Sequence, residues 1–255
     1  MLRVLFALLV LLAAPVHAQE DVVLGMSQNR VAITANFDGS EILIFGAVKR
    51  ESEIQQDPPL EVLVTVSGPL QPVTVRRKEK KLGIWVNADS VEVDAAPSFY
   101  AVATSGPFGD VLTDVEDLRH RVSIPRAIRS VGAPMGVEDA QSFAKAVIRI
   151  RTDNGLYQML ENSVAVDEQT LFRTSVAMPA NLTEGDYITR VLLTRGGEVV
   201  SSYETSIDVR KVGLERWLFN LSRQKPLLYG LLSLAIAIAA GWGASAAFRF
   251  VRQGG

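Results

Sequence analysis

The chain has 255 residues, a formal net charge of −2, two histidines and no cysteine. The missing thiols exclude a disulfide framework, thiolate metal sites, a cysteine nucleophile and cysteine-linked haem. The slightly acidic balance argues against a nucleic-acid binder, which carries a basic field.

The opening stretch MLRVLFALLVLLAAPVHAQE reads as a secretory leader. Arg3 supplies the positive start, residues 4–14 are an unbroken apolar run, and Val16-His17-Ala18 offers small residues to a signal peptidase. The run is too short for a span, which needs about 20 residues. Residues 1–18 are therefore expected to be cleaved off, with an uncleaved anchor as the competing reading. Arg3 leaves with the leader, so the exported body is more acidic still.

Residues 19–107 predict an N-terminal β-sandwich domain. RVAITANF alternates Val31, Ile33, Ala35 and Phe37 on one face, and EILIFGAVKR follows the turn Asp38-Gly39-Ser40. LEVLVTVSG places Val62, Val64 and Val66 on one face, and PVTVRRK, LGIWVN, SVEVD and SFYAVATSG complete about seven short strands. The spacing suits antiparallel sheets of immunoglobulin-like size. Inside this region VTVRRKEKKLGIWVN carries Arg76, Arg77, Lys78, Lys80 and Lys81 around the single acid Glu79. It predicts a hairpin with strands at 73–78 and 82–87 and a turn near 79–81. Alternation puts Arg76 and Lys78 on one face and Arg77 on the other. Two readings stand: charges that keep a sheet edge soluble, or a contact with anionic lipid headgroups or an acidic partner.

Residues 108–155 predict a helical segment. Val111, Leu112, Val115, Leu118 and Val122 form one apolar stripe, which Pro125 ends; Ala140, Phe143, Ala144, Val147 and Ile148 form another. Glu138 and Asp139 suit a first helical turn, and Asn154-Gly155 a stop. Residues 156–212 return to β: LFRTSVAMP, then GDYITRVLLTR and EVVSSYETSIDVR joined by Gly196-Gly197, a hairpin signal. Tyr187, opening a strand after a loop and a Gly, reads as a structural tyrosine corner.

Residues 213–225 predict an amphipathic helix. Leu214, Trp217, Leu218 and Leu221 oppose Glu215, Arg216, Ser222 and Arg223, which suits either the membrane interface or packing on the β-body. Residues 226–248 lack any charge and are long enough to cross a bilayer; Tyr229 and Trp242 are candidate interfacial anchors. Cations flank both ends, so the leader decides the orientation: body outside the inner membrane, residues 249–255 in the cytoplasm. Small residues recur every fourth position on two lines, Ala237, Gly241, Ser245 and Ala239, Gly243, Ala247, as in closely packed spans.

Catalytic signals are weak. His120, the one histidine past the leader, lies among charges and reads as a surface residue, and no nucleophile elbow accompanies it. Asp110, Asp114, Glu116 and Asp117 form an acidic cluster without a calcium-loop pattern, so a solvated helix face is expected. No phosphate loop or dinucleotide fingerprint occurs, and no cofactor or metal is expected. A pair of catalytic carboxylates stays open, because their spacing in space is not readable.

The blocks VAITANFDG, FGAV, VRRKEKKLGIWVN, SFYAVATSGP, LFRTSVAMPANLTEGDY and GLERWLFNLSRQKPLLYGLL, in this order, resemble the alpha-proteobacterial putative transmembrane protein family. The resemblance spans nearly the whole mature chain. It implies a single-pass protein with an exported body and no known catalytic residues, associated with gene neighbourhoods containing a sulfite-exporter-like permease. The expectation is a mainly β, membrane-anchored, non-enzymatic interaction module for a membrane or envelope partner, a second copy included. The alternatives are a ligand-binding or sensing subunit beside a transporter, and a carboxylate-dependent envelope hydrolase.

Overall fold

A computed structural model describes residues 20–34, 37–50, 53–54, 56–129 and 140–253. The leader, Ala35 and the Glu138-Asp139 turn lie outside the described residues. The chain divides into two compact units. The first holds the chain up to Val31 and from Asp38 to Val209; the second holds Ala32 to Phe37 and everything from Arg210 onward.

The first unit is mainly β, as expected. Its strands are β1 (Asp21–Met26), β2 (Arg30–Ile33), β3 (Gly39–Lys49), β4 (Leu60–Ser67), β5 (Leu70–Lys81), β6 (Ile84–Pro97), β7 (Tyr100–Thr104), β8 (Tyr157–Leu160), β9 (Ala165–Asp167), β10 (Leu171–Pro179), β11 (Gly185–Arg195) and β12 (Glu198–Lys211). The four-stranded sheet runs β1-β3-β10-β9, the six-stranded sheet β2-β12-β11-β4-β7-β8, and β5-β6 stand alone as a hairpin. β7 and β8 pair in parallel. The last residues of β2 and β12 continue into the second unit.

The boundary expected at residue 107 does not separate the sheets. β3 pairs with β10 along its length, and β4 pairs with β11, so strands from before and after the helices share both sheets. The pairing partner of a strand is a long-range choice that alternation alone does not encode. Two local expectations also shift. IWVN and SVEVD belong to one long strand, β6, and the strand that opens with RVAI ends at Ile33.

Burial explains the layers. β10 alternates exposed and buried residues, with Phe172, Thr174, Val176 and Met178 inward. β4 is instead buried on both faces: Val62, Val64 and Val66 on one, Leu63 and Thr65 on the other. A strand loses its alternation when both sides are covered. On one side, Leu63, Tyr100, Val102 and Leu192 pack against Val111, Leu112, Val122 and Ile124 from the helices. On the other, β10 packs over β7. Tyr187 is a structural corner as expected: it is fully buried and its hydroxyl donates to the Thr183 carbonyl at 2.8 Å.

The helices of this unit are α1 (Phe108–Val111), α2 (Asp114–His120), α3 (Ile124–Ala127) and α4 (Ala140–Asp153). The single stripe expected over 111–122 is broken. Thr113 caps α2, Arg121 ends it in the left-handed region with φ 51°, and Pro125 sits in the first turn of α3 rather than ending a helix. α2 is turned the other way from its pattern. Val115 and Leu118 are exposed, while Glu116 and Asp117 are buried.

The second unit carries α5 (Leu214–Gln224) and α6 (Pro226–Gln253). Across their junction the Lys225 amide donates to the Leu221 carbonyl and the Tyr229 amide to the Lys225 carbonyl. Residues Pro226–Ser245 form the one helix among the described residues long and apolar enough to cross a membrane, and none of it is buried against protein. At 1.5 Å per residue α6 is about 42 Å long, enough for the roughly 30 Å hydrocarbon layer with a turn or two to spare.

Candidate functional site

The basic run forms the tip half of the β5-β6 hairpin. Val73, Val75, Val91 and Val93 pair across the two strands, and their shared face meets α4, where Val93 and Ala96 pack on Val147. The hairpin is longer than the pattern suggested and turns at Leu82-Gly83, not at 79–81. Both turn residues have positive φ, 51° and 87°, which matches the strand twist of a tight two-residue turn. A register shift at Arg77/Lys78 leaves Ala88 without an opposite residue and bends the basic half.

Arg77 faces α4, and its guanidinium lies 5.2 Å from the centre of the Phe143 ring. Asp89, directly across the hairpin, takes the same guanidinium in an ion pair at 2.6 Å. Between this stretch of β5 and α4 lies a groove of about 500 Å³. Val75, Phe143, Ala146 and Ile150 give it apolar surface, and Arg76, Arg77, Lys78, Lys145 and Arg149 line it with positive charge; no carboxylate lines it among the described residues. A smaller hollow of about 210 Å³ shares Val75, Arg76 and Ile150 and adds Arg151. Asp89 pairs with Arg77 among these cations. The groove can thus take an anionic group against apolar surface.

Sequence reasoning named one wall and missed the other. Lys145 and Arg149 went unnoticed, although Ser142, Lys145 and Arg149 recur at helical spacing beside the buried stripe of Phe143 and Val147. Lys80 and Lys81 lie beyond the groove, toward the tip, where Lys81 pairs loosely with Glu79 at 3.8 Å. The small residues of the span sit on α6; Ala237, Ala239, Gly241, Gly243 and Ser245 are exposed, and an added Cβ at Gly241 or Gly243 meets nothing within 4 Å. Ala247 lies further along the same helix.

Two further polar clusters are structural in form. The solvated face expected of the acidic cluster holds for Asp110 and Asp114, which are exposed, and fails for Glu116 and Asp117, which are buried: Asp117 accepts from the Val122 and Ser123 amides at 3.1 and 2.7 Å and pairs with Arg126 at 2.7 Å. Glu116 pairs with Arg119, while its other oxygen, 3.3 Å from His120 Nε2, is buried without a hydrogen bond. The three donors to Asp117 follow it in sequence, and they receive its carboxylate inside the fold against the apolar pattern. No group of residues fit to hold a metal occurs among the described residues. The second cluster is a buried triad: Glu20 receives Arg50 at 2.7 Å and Arg195 at 2.9 Å. Burial pushes the Glu20 carboxyl up, but the hydrogen bonds and charges of the two guanidiniums outweigh it and hold the group below its ordinary range. Tyr100 donates to the Val122 carbonyl at 2.8 Å, and burial raises it to about 12, so it stays a neutral donor.

The family model described as Putative transmembrane protein (Alph_Pro_TM) matches residues 21–250. The chain belongs to this family. The match includes the β-rich body, the basic hairpin, α4 and the apolar helix, so the groove and the span fall within one family unit. The resemblance seen in the sequence is thereby established. No curated protein matches the chain.

Proposed function

We propose that this single-pass protein is a non-enzymatic docking module. Its leader is cleaved, its β-body faces the periplasm from the inner membrane, and residues 249–255 face the cytoplasm. The body meets an anionic envelope surface through the hairpin–α4 groove. The observation that supports this reading is the groove itself: among the described residues five cations and no carboxylate line it over an apolar wall. Exposed charges of this kind add little to folding, yet they steer and select an oppositely charged partner.

Changing Arg76, Lys78, Lys145 and Arg149 together to Gln in the full-length protein tests the reading. Association with native envelope fractions is expected to fall as it does for the wild type in high salt, with unfolding temperature unchanged. Wild-type association that is indifferent to both salt and these changes would overturn it. Topology is checked separately: a periplasm-only reporter is expected to work after Val212 and a cytoplasm-only reporter after Gly255.

A second reading is favoured by size. About 500 Å³ lies within the range of small-ligand sites, which suits a binding or sensing subunit beside a transporter for an anion. Saturable binding of a free inorganic anion, sulfite or sulfate, in neutral detergent would support it over docking.

A further inference from the structure

The hairpin tip holds apolar side chains that the fold does not use. Leu82 is fully exposed, at 104%, and Ile84 and Trp85 are 65% and 67% exposed. Nothing in the turn requires them. A two-residue turn with both φ positive favours Asn-Gly, and here its first position is a leucine with φ 51°. The register sets Lys81 opposite Ile84 and Lys80 opposite Trp85, so Ile84 and Trp85 each have a lysine as cross-strand neighbour. Lys78 follows two pairs further back, opposite Asn87, with Glu79 opposite Val86 between them. Glu79 is the one acid of this half of β5.

An apolar tip with a tryptophan, bordered by lysines, matches the layer between lipid headgroups and acyl chains. Trp sits well at that depth, and lysine stems reach from it to the phosphates. A protein groove would also accept an apolar tip, but the chain's apolar span ties the body to a bilayer permanently. Fourteen residues separate Lys211 from Pro226, a short tether. We propose that the tip inserts Leu82, Ile84 and Trp85 into the interface of an anionic bilayer, as a second and reversible membrane contact beside the span. This rests on the docking reading and names its surface: the lipid.

Each cation near an anionic membrane strengthens binding about fivefold at low salt, and screening removes the gain. The tip is therefore expected to partition by charge and apolar burial together.

The test uses the full-length protein in liposomes. Trp217→Phe and Trp242→Phe leave Trp85 as the one tryptophan. Bromine-labelled acyl chains are expected to quench Trp85 strongly in vesicles containing phosphatidylglycerol, and weakly in phosphatidylcholine alone or in high salt. Lys78→Gln, Lys80→Gln and Lys81→Gln together are expected to reduce the quenching to the phosphatidylcholine level. A dye on Ser142→Cys, in a chain that has no other cysteine, reports on the groove in the same vesicles. An unquenched Trp85 with a salt-sensitive groove signal overturns insertion and leaves docking standing. An unquenched Trp85 with a silent groove overturns both. Trp85 shielded only after a second protein is added overturns the lipid in favour of a protein partner.

Discussion

Asp117 gives the sharpest test of how the helical segment holds together. It is 4% exposed, and its carboxylate takes two backbone amides and the Arg126 guanidinium. It thereby joins the end of α2 to the start of α3. Asp117→Ala strips both amides of their acceptor, at roughly 1–3 kcal/mol for each donor left unsatisfied. Arg126 is 36% exposed and turns to water, so its loss adds little. The sum is about 2–6 kcal/mol, which brackets the cost of a broken buried ion pair. Asp117→Asn keeps one oxygen for the amides but aims an N–H at Arg126; its expected cost is about 1.5–3 kcal/mol, one charge-assisted bond. Asp114→Ala is the control. Asp114 is exposed in the first turn of α2 and contributes about 0.3–1 kcal/mol through the helix dipole. Thermal unfolding of the full-length protein in neutral detergent, followed by circular dichroism at a strand wavelength, reads the difference. At about 2–4 °C per kcal/mol for a body of this size, Asp117→Ala is expected to lower the midpoint by about 4–24 °C, Asp117→Asn by less, and Asp114→Ala by least. Equal midpoints for Asp117→Ala and Asp114→Ala would refute the reasoning and return the acids of α2 to a solvated face.

Other changes test other joints. Glu20→Gln removes the carboxylate charge that the buried Arg50 and Arg195 guanidiniums share and is expected to destabilise by about 1.5–3 kcal/mol at neutral pH, the range of a lost charge-assisted hydrogen bond. Because the folded carboxyl titrates below its unfolded value, that stability is present above the ordinary carboxylate range and is lost as pH falls through the folded pKa. Denaturant midpoints of wild type and variant are thus expected to converge as pH drops below about 4; a gap that widens there would contradict the triad. Gly197→Ala places a Cβ 2.8 Å from Thr113 Cγ2 at φ 82°. It is expected to cost about 1–2 kcal/mol in a denaturant titration, and an unchanged midpoint would show that the β11-β12 turn relaxes freely. Gly241→Leu and Gly243→Leu meet nothing in the protein. Both are expected to insert normally by alkaline extraction, and a crosslink between spans that disappears in them would mark a helix–helix contact.

What the sequence determined by itself is what near neighbours in the chain decide. The strands LFRTSVAMP and GDYITRVLLTR begin and end where their punctuation says, Gly196-Gly197 turns the hairpin, and Tyr187 reaches back four residues to Thr183. The amphipathic α5 and the apolar α6 follow from composition and period alone. The basic hairpin was legible as a hairpin, because alternation and charge are local. Its register, its Leu82-Gly83 turn and its second wall were not. Lys145 and Arg149 meet β5 only because α4 packs Val147 onto Val93, some fifty residues away in sequence. The tertiary structure also decided that β3 pairs with β10 and β4 with β11, merging two β regions into common sheets. It reversed α2 as well, exposing Val115 and Leu118 and burying Glu116 and Asp117. Apolar period predicts the buried face only while burial is an apolar matter. A carboxylate met inside by two amides and a guanidinium no longer loses by leaving water, and whether those donors are waiting depends on where the chain returns.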